Sequence, residues 1–251
     1  MTTMTAHPSL ALKLMILGRR RPGSTLAEHR RHIRQIHGEM VLDYIAHDAA
    51  AAPQRYVQNV VLDGSYRPSA PAVDPLALQR DFVTQIWFAD FSALARSRET
   101  AFYRERLHGD EDNFVDQSNV VFVPTREHSQ WQREAASGAS IKLFCGLQRG
   151  PGVAPEAFLQ AWLEAAAGLP SLSAVHGVQR HVCNEVLGKP GQPSSLDGID
   201  EFWLDDEKAA HALLAQWRSW VEQKLVQTGL VAADAPFFLI TREDVLHAGP
   251  G

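Results

Sequence analysis

The chain contains little of what marks several large classes of protein. Only 2 of its 251 residues are cysteines, charged residues make up 21%, and the formal net charge is -5. Cys145 and Cys183 lie within predicted strands and lack CxxC spacing, so we expect them to be reduced packing residues. The negative net charge and the lack of a basic stretch interleaved with aromatic residues argue against nucleic acid as a partner.

Long apolar runs are missing as well. Residues 10–17 are apolar apart from Lys13, but the arginines follow this run, whereas a signal peptide has its basic residues first. No segment approaches the roughly 18–20 apolar residues that a membrane span needs. These features predict a cytoplasmic protein with no membrane partner.

The sequence also lacks the motifs that hold metals and cofactors. It has no GxSxG, HExxH, phosphate-loop or nucleotide-binding fingerprint. His29 and His32 have a helical spacing that can share a metal ion, but no carboxylate is placed to complete such a site. We therefore predict that the protein uses no metal and no cofactor.

What the chain does contain is an internal repeat. Four stretches of the first half return in the same order in the second half: residues 13–23 as 142–152, 55–62 as 180–187, 85–90 as 201–206 and 125–127 as 241–243. This order predicts a fused duplication of a unit of about 120 residues. We assign the first unit to residues 10–127, a linker to residues 128–140 and the second unit to residues 141–247.

Each unit has the pattern of strands and helices expected for a ferredoxin-like fold. In the first unit, Thr25 and Glu28 form a capping box that begins a helix over residues 26–37, and Gly38 is expected to end it. Alternating and helical spacings then predict β-α-β-β-α-β, with strands 12–17, 56–62, 82–88 and 120–123, a second helix over 90–107, and the same order in the copy. The fold class is α+β. We expect two sheets to face each other around a cavity within one chain.

Three segments of the first unit resemble a known family. Arg21–Gly23 after the first strand, His37–Gly38 in the helix and Arg55–Asn59 in the second strand are similar to EthD-like members of the dimeric α/β-barrel superfamily. The resemblance extends to both halves and implies that they close into one intramolecular barrel. It also implies small-molecule chemistry, because the superfamily includes cofactor-free cyclases, dehydratases, isomerases and quinone-forming monooxygenases, as well as haem-binding enzymes. The second half departs from the pattern, since Ala166 replaces His37.

His37 is the leading catalytic candidate. An imidazole beside the buried stripe of a helix can act as a general acid or base near neutral pH, although it could instead cap its own helix. Only one copy has this histidine, so we predict one functional pocket, centred on the first half. Tyr56 is the second catalytic candidate. Tyr56 and Asn59 point to opposite faces of their strand, so at most one of them can line the cavity.

The other candidate residues are expected to bind substrate. Trp87 and Trp203 would form aromatic walls, or else simply pack in the core. An enclosed Glu201 would have a raised pKa and could donate a proton, unless it forms a salt bridge. The remaining substrate-binding candidates are Asn59, Gln85 and Arg20, of which Arg20 would attract an acidic compound or else lie on a solvated face.

These observations lead to a functional hypothesis. We expect a cofactor-independent enzyme that acts on a small hydrophobic aromatic or polyketide-like compound by proton transfer. The reaction would be dehydration, cyclisation or isomerisation, which are lyase or isomerase activities. One alternative is a cofactor-free monooxygenase or a haem protein with His37 as axial ligand, and another is a non-catalytic binding protein. Whether the fused chain forms a homodimer is left open.

Overall fold

The protein is an α+β structure built around a closed barrel. A computed structural model describes residues 12–133, 138, 140–168, 177–188, 195–233 and 237–249. Within these residues eight strands form the barrel, all neighbouring pairs being antiparallel, in the order β1-β3-β2-β8-β5-β7-β6-β4. The strands are β1 Leu12–Gly18, β2 Arg55–Ser65, β3 Phe82–Phe88, β4 Val121–Gln132, β5 Ile141–Leu147, β6 Val178–Val186, β7 Gly198–Leu204 and β8 Phe237–His247.

Helices cover the outside of the barrel. In the first half they are α1 Leu26–Arg31, a π-helical turn His32–His37, α2 Gly38–His47, α3 Phe91–Glu99, a second π-helical turn Tyr103–Leu107 and α4 His108–Glu111. In the second half they are α5 Pro155–Ala166, α6 Glu207–Val221 and a π-helical turn Glu222–Val226. The predicted capping box at Thr25 and Glu28 is confirmed, because each side chain bonds the other's backbone amide. No helix in the described part of the chain is long and apolar enough to cross a bilayer.

Three predicted boundaries were wrong. Gly38 does not end the first helix, because its backbone is helical and the chain continues as α2 to His47. The second helix is interrupted at Thr100, which has an extended backbone that stops α3. Strand β4 extends to Gln132 and pairs with β6, so residues 128–132 of the segment predicted as a linker are part of the barrel wall.

The barrel interior has an apolar end and a polar end. Met15, Val83, Phe144 and Leu239 belong to the apolar cluster that fills one end. Because strand side chains alternate between faces, the next inward residue of β1 is Lys13, at the polar end of the interior. The helices pack on the outward faces, where separate apolar clusters form in the first half and the second half. Cys145 and Cys183 belong to the outer apolar cluster of the second half and are buried free thiols, as predicted.

Candidate functional site

A cavity of about 240 Å³ lies between the barrel and the helices of the first half. Its floor comes from outward-facing side chains of β1, β2 and β3, and its roof from α2, α3 and the segments around them. Most of the lining is apolar, with Ile33, Phe82 and Phe114 among its members. Exposed Arg98 and Phe122 also line it, and the Arg98 guanidinium lies 5.4 Å from the centre of the Phe122 ring, which places the mouth at their side. This first-half cavity therefore suits a small apolar compound.

His37 reaches this cavity with one ring nitrogen already engaged. Its Nδ1 lies 3.0 Å from Asp110 Oδ2, and its ring centre lies 4.9 Å from that of Phe114. The side chain is 14% exposed and forms part of the cavity lining. An ionised carboxylate accepts a hydrogen bond from Nδ1–H. Nε2 then carries a lone pair, which can take a proton from a bound compound.

Asp110 holds two histidines at once. Its other oxygen, Oδ1, lies 2.9 Å from His32 Nε2 and 3.3 Å from the side-chain nitrogen Nδ2 of Asn113. Burial alone would raise the pKa of Asp110, but the hydrogen bonds from His37, His32 and Asn113 lower it to about 2. The carboxylate is therefore ionised throughout the physiological range and can stabilise a protonated His37.

The π-helical turn explains how His32 and His37 meet at one carboxylate. Five residues in an α-helix would place the two side chains about 140° apart around the axis. In a π-helix the bonds run from residue i to i+5, so these residues lie nearly above one another. Gly38 N–H makes such a bond to Ile33 O, and Gln58 Nε2 donates to the same carbonyl at 2.6 Å. The sheet thus supports the turn that creates the histidine pair.

Tyr56 lies on the same side of the sheet as His37 and lines the first-half cavity. Its hydroxyl accepts a hydrogen bond from Gln58 Nε2, which leaves the hydroxyl proton for another acceptor. Burial is the largest influence on the pKa of Tyr56 and raises it well above its usual value. The phenol is therefore neutral and can act as a hydrogen-bond donor.

The polar candidates on the opposite strand face lie elsewhere, inside the barrel. Asn59 donates to the Gln85 side chain at 3.1 Å, Gln85 donates to Glu201 at 2.9 Å, and Lys142 contacts both Gln85 and Glu201. Lys13 also forms a salt bridge with Glu201. These side chains bond one another in the middle of the barrel, so they are not brought together with His37.

Two expectations about this interior need correction. The pKa of Glu201 is not raised: burial acts in that direction, but the charges of Lys13 and Lys142 outweigh it and hold the pKa well below its usual range. In the part of the chain that the structure describes, the middle of the space between the sheets is also occupied by these charged and amide side chains, and is not open between aromatic walls. Trp87 and Trp203 do point inward, as predicted, but lysine ammonium groups lie over both rings, Lys13 at 5.0 Å and Lys142 at 4.5 Å from the ring centres.

Arg20 forms a structural ion pair with Asp81. Its Nη1 lies 2.7 Å from Asp81 Oδ1, and its backbone amide donates to the other oxygen of Asp81 at 2.8 Å. The repeat has the same arrangement, because Arg149 bonds Asp197 through both its side chain and its backbone amide. A pair present in both halves is explained by the fold, and Arg20 does not line the first-half cavity.

The second half fills the layer that corresponds to the first-half cavity. Trp162 stands at the position of Ile33 in the repeat and is fully buried in the apolar cluster with Phe158 and Trp217. It packs on Gly198, where a Cβ atom would lie 2.6 Å from the indole ring. The asymmetry predicted from His37 and Ala166 is therefore also an asymmetry of packing.

Sequence reasoning missed Asp110, Gln58 and His32 as members of the site. Asp110 lies 73 positions after His37 in a polar segment that shows no periodicity. Gln58 was part of a repeated stretch, but it has Cys183 as its counterpart, and that difference was a usable signal. His32 precedes His37 by five residues, a spacing that has no meaning for a regular α-helix.

Comparison with known proteins supports the fold and the first unit. Residues 21–118 match the family model described as EthD domain. No curated protein sequence matches the chain significantly. The match covers the first half and includes His37, Tyr56 and Asp110.

Solved structures with the same fold include proteins of different activity. One is an anthrone oxidase-like protein, with 13% identity, a TM-score of 0.55 and coverage of 95% of this chain and 94% of that one. Another is a proposed monooxygenase from Lactobacillus acidophilus NCFM, with 9% identity, a TM-score of 0.52 and coverage of 96% and 97%. A mutant chlorite dismutase from Candidatus Nitrospira defluvii, in complex with cyanide, has 10% identity, a TM-score of 0.53 and coverage of 96% and 93%. At these identities the likeness establishes the barrel fold alone.

Proposed function

We propose that this chain, which carries an EthD domain in residues 21–118, is a cofactor-independent enzyme that removes a proton from a small aromatic or polyketide-like compound. The observation that carries this proposal is the His37–Asp110 pair at 3.0 Å on the wall of an apolar cavity. A carboxylate that fixes the tautomer of an imidazole and stabilises its protonated form is a recurring device of general-base catalysis.

The cavity indicates what kind of compound would bind. A volume of about 240 Å³ lies below the roughly 300–1,000 Å³ of pockets for drug-sized ligands. Aromatic side chains such as Phe82 and Phe114 favour a flat ring system. Arg98 at the mouth is placed to meet a polar or acidic edge of that compound.

The residues of the site would divide the work as follows. His37 Nε2 takes a proton from a carbon next to a carbonyl group, or from a phenol. Tyr56, whose oxygen already accepts a hydrogen bond from Gln58, donates a hydrogen bond to the oxygen on which negative charge develops and keeps its proton. His37 then returns the proton at another atom, which completes an isomerisation or cyclisation, or delivers it to a leaving hydroxide, which completes a dehydration.

We also propose that the two halves are fused ferredoxin-like units. The strand order β4-β1-β3-β2 of the first half repeats as β8-β5-β7-β6 in the second, and the two sets meet at β2 with β8 and β4 with β6. The second unit would then act as the support of the barrel, while the first unit holds the site.

A second candidate is oxygenation without a cofactor, favoured by the fold shared with the anthrone oxidase-like protein and the proposed monooxygenase. The carbanion left after proton removal would add O₂ to form a hydroperoxide, which loses water to leave a carbonyl group. One CH₂ group and one O₂ give one C=O group and one water. The same residues would perform the first step of both candidates.

A haem group does not fit the first-half cavity as it stands. The cavity of about 240 Å³ is smaller than typical pockets of roughly 300–1,000 Å³, and a macrocycle needs a pocket from the upper part of that range. Binding would require Phe114, Leu107 and their neighbours to move. We therefore assign no step to haem.

The test is hydrogen–deuterium exchange at an acidic carbon. Anthrones, aromatic 1,3-diketones and hydroxynaphthalenones would be incubated with the protein in D₂O, and deuterium incorporation followed by NMR under nitrogen. We expect His37→Ala to reduce the exchange rate by about 100- to 10,000-fold, the usual contribution of general-base catalysis. His211→Ala is the matched control, because His211 is an exposed histidine of α6 that does not line the cavity.

The outcomes separate the candidates. Exchange followed by product formation under nitrogen supports isomerisation, cyclisation or dehydration, whereas oxygen consumption after air is admitted supports oxygenation. Binding of these compounds without exchange, unchanged in His37→Ala, would replace the enzyme with a binding protein. Equal exchange rates for wild type and His37→Ala would remove His37 from the reaction.

A further inference from the structure

Three buried side chains of the second half converge beneath α5 and α6. His181 and Cys183 lie two residues apart on the outward face of β6. Asp200 lies on the neighbouring strand β7 and pairs with Cys183. All three are buried, and their ligand atoms all lie within 4.8 Å of one another. The measured distances are 2.8 Å from His181 Nε2 to Asp200 Oδ1, 3.4 Å from Cys183 Sγ to the same oxygen, and 3.8 Å from Cys183 Sγ to His181 Nε2.

These distances resemble the edges of a metal coordination tetrahedron. Bond lengths of about 2.0–2.1 Å to nitrogen and oxygen and about 2.3 Å to sulfur place tetrahedral ligands roughly 3.3 Å apart for nitrogen–oxygen pairs and 3.5 Å for pairs that include sulfur. Both contacts of Cys183 are within about 0.3 Å of that requirement. The His181–Asp200 pair would open by about 0.5 Å, a movement that a change of side-chain torsion provides.

The surroundings supply an outer shell of donors. Asp200 Oδ2, the oxygen not shared with His181, accepts hydrogen bonds from Trp217 Nε1 at 3.0 Å and Trp162 Nε1 at 3.4 Å. Phe202 stacks on the His181 ring with centres 4.2 Å apart. Carboxylates that bind metals are typically oriented by hydrogen bonds of this kind, and the ring contact fixes the imidazole in place.

The charge balance favours a divalent cation in this position. Asp200 is fully buried, and a carboxylate charge in that position is costly unless it is compensated. A divalent ion with one carboxylate, one thiolate and one imidazole is neutral overall. The thiol proton is released to solvent when the metal–sulfur bond forms.

We propose that His181, Cys183 and Asp200 form a buried binding site for a divalent transition metal of the zinc type. The nitrogen, sulfur and oxygen donor set suits Zn²⁺ and Co²⁺ rather than Mg²⁺ or Ca²⁺, which bind oxygen ligands. Three protein ligands leave a fourth coordination position for a solvent molecule. The site lies outside the first-half cavity and has no step in the proton transfer proposed for His37.

The first half shows that the fold does not itself require these three residues. Tyr56, Gln58 and Thr84 occupy the corresponding positions there and offer no comparable set of ligands. A buried His–Asp ion pair alone would explain His181 and Asp200, but it would not explain the third ligand atom at 3.4 Å from the shared carboxylate oxygen. The sequence contained the pair His181-x-Cys183, but Asp200 joins them only through strand pairing.

The experiment uses the full chain. Metal content is measured on protein purified without metal-affinity chromatography, and the protein is then unfolded with a chelator and refolded with Zn²⁺, Co²⁺ or no metal. Refolding is included because the ligands are buried. We expect about one zinc ion per chain, and for the cobalt form a near-ultraviolet thiolate-to-metal charge-transfer band together with the visible bands of tetrahedral Co²⁺.

Two cysteine variants identify the sulfur ligand. Cys183→Ser should lose the charge-transfer band and bind Co²⁺ at least about 100-fold more weakly, whereas Cys145→Ser, the other buried thiol of the same layer, should retain both properties. Trp217→Phe removes one outer hydrogen bond and should weaken binding about 10- to 100-fold. If Cys183→Ser does not fold, the stoichiometry and spectrum of the wild-type protein still decide. Wild-type protein that contains no metal and refolds with Co²⁺ without these bands would overturn the proposal, as would bands that survive in Cys183→Ser.

Discussion

His181→Ala and His37→Ala should differ in their effects, because His181 is part of the buried core and His37 lines the first-half cavity. His181 is 3% exposed, bonds Asp200 at 2.8 Å and stacks on Phe202. Removing it takes away a hydrogen bond to an ionised group, worth about 1.5–3 kcal/mol, and leaves an unfilled volume that costs about 1–2 kcal/mol more. We expect the free energy of unfolding to fall by about 2.5–5 kcal/mol.

His37→Ala should be much milder. The side chain is 14% exposed, and Asp110 keeps its hydrogen bonds from His32 and Asn113 after the change. The loss of one partly exposed hydrogen bond costs about 1 kcal/mol. The two variants therefore separate structural from functional weight: His37→Ala should lose catalytic rate with little loss of stability, and His181→Ala should lose stability.

The assay is thermal unfolding followed by circular dichroism, with all proteins refolded in chelator so that bound metal does not contribute. For a chain of this size 1 kcal/mol corresponds to about 2–4 °C. We expect the melting temperature to fall by about 5–20 °C for His181→Ala and by about 2–4 °C for His37→Ala. Equal decreases, or a His181 variant that melts within about 4 °C of the wild type, would refute the reasoning.

Three further predictions concern the His37–Asp110 pair, the barrel interior and the first-half cavity. The folded pKa of Asp110 is about 2 against 3.8 for the free group, so its stabilisation is present above pH 3.8 and disappears as the pH falls towards 2. Asp110→Asn should therefore be less stable by about 1–2 kcal/mol near neutral pH, allowing for solvent screening, and urea denaturation should show this gap closing below about pH 3. Glu201→Gln leaves two buried lysines without their shared anion and should cost about 3–5 kcal/mol by the same assay, whereas Glu207→Gln on the exposed first turn of α6 should stay within about 0.5 kcal/mol. Ile33→Trp copies Trp162 into the first half and should weaken binding of the anthrone panel at least about 10-fold by calorimetry; unchanged affinity would place the ligand outside this cavity.

The sequence by itself determined the repeat, the strand alternation and the asymmetry between the halves. The repeated stretches map onto matching positions of the barrel, such as the Arg20–Asp81 and Arg149–Asp197 pairs. Alternation correctly placed Tyr56 and Asn59 on opposite faces of β2, since strand residues an odd number of positions apart point to opposite sides. The contrast between His37 and Ala166 drew attention to the half that contains the first-half cavity.

Only the tertiary structure decided which strand face borders that cavity. In β1 and β3 both faces are buried, one inside the barrel and one under helices. Apolar and polar residues therefore occur on both faces, and the alternation alone cannot show which face borders the cavity. The interior was expected to be open, but Lys13, Lys142 and Glu201 occupy it as a network of ion pairs.

The His37–Asp110 pair likewise depends on contacts that no local pattern contains. Asp110 approaches His37 because the chain returns across β2, β3 and α3 before reaching it, and the π-helical turn adds His32 to the same carboxylate. Local sequence governs periodicity and capping, which act over a few residues. The distance between two side chains 73 positions apart is set by how sheets and helices pack, and that packing is a property of the whole chain.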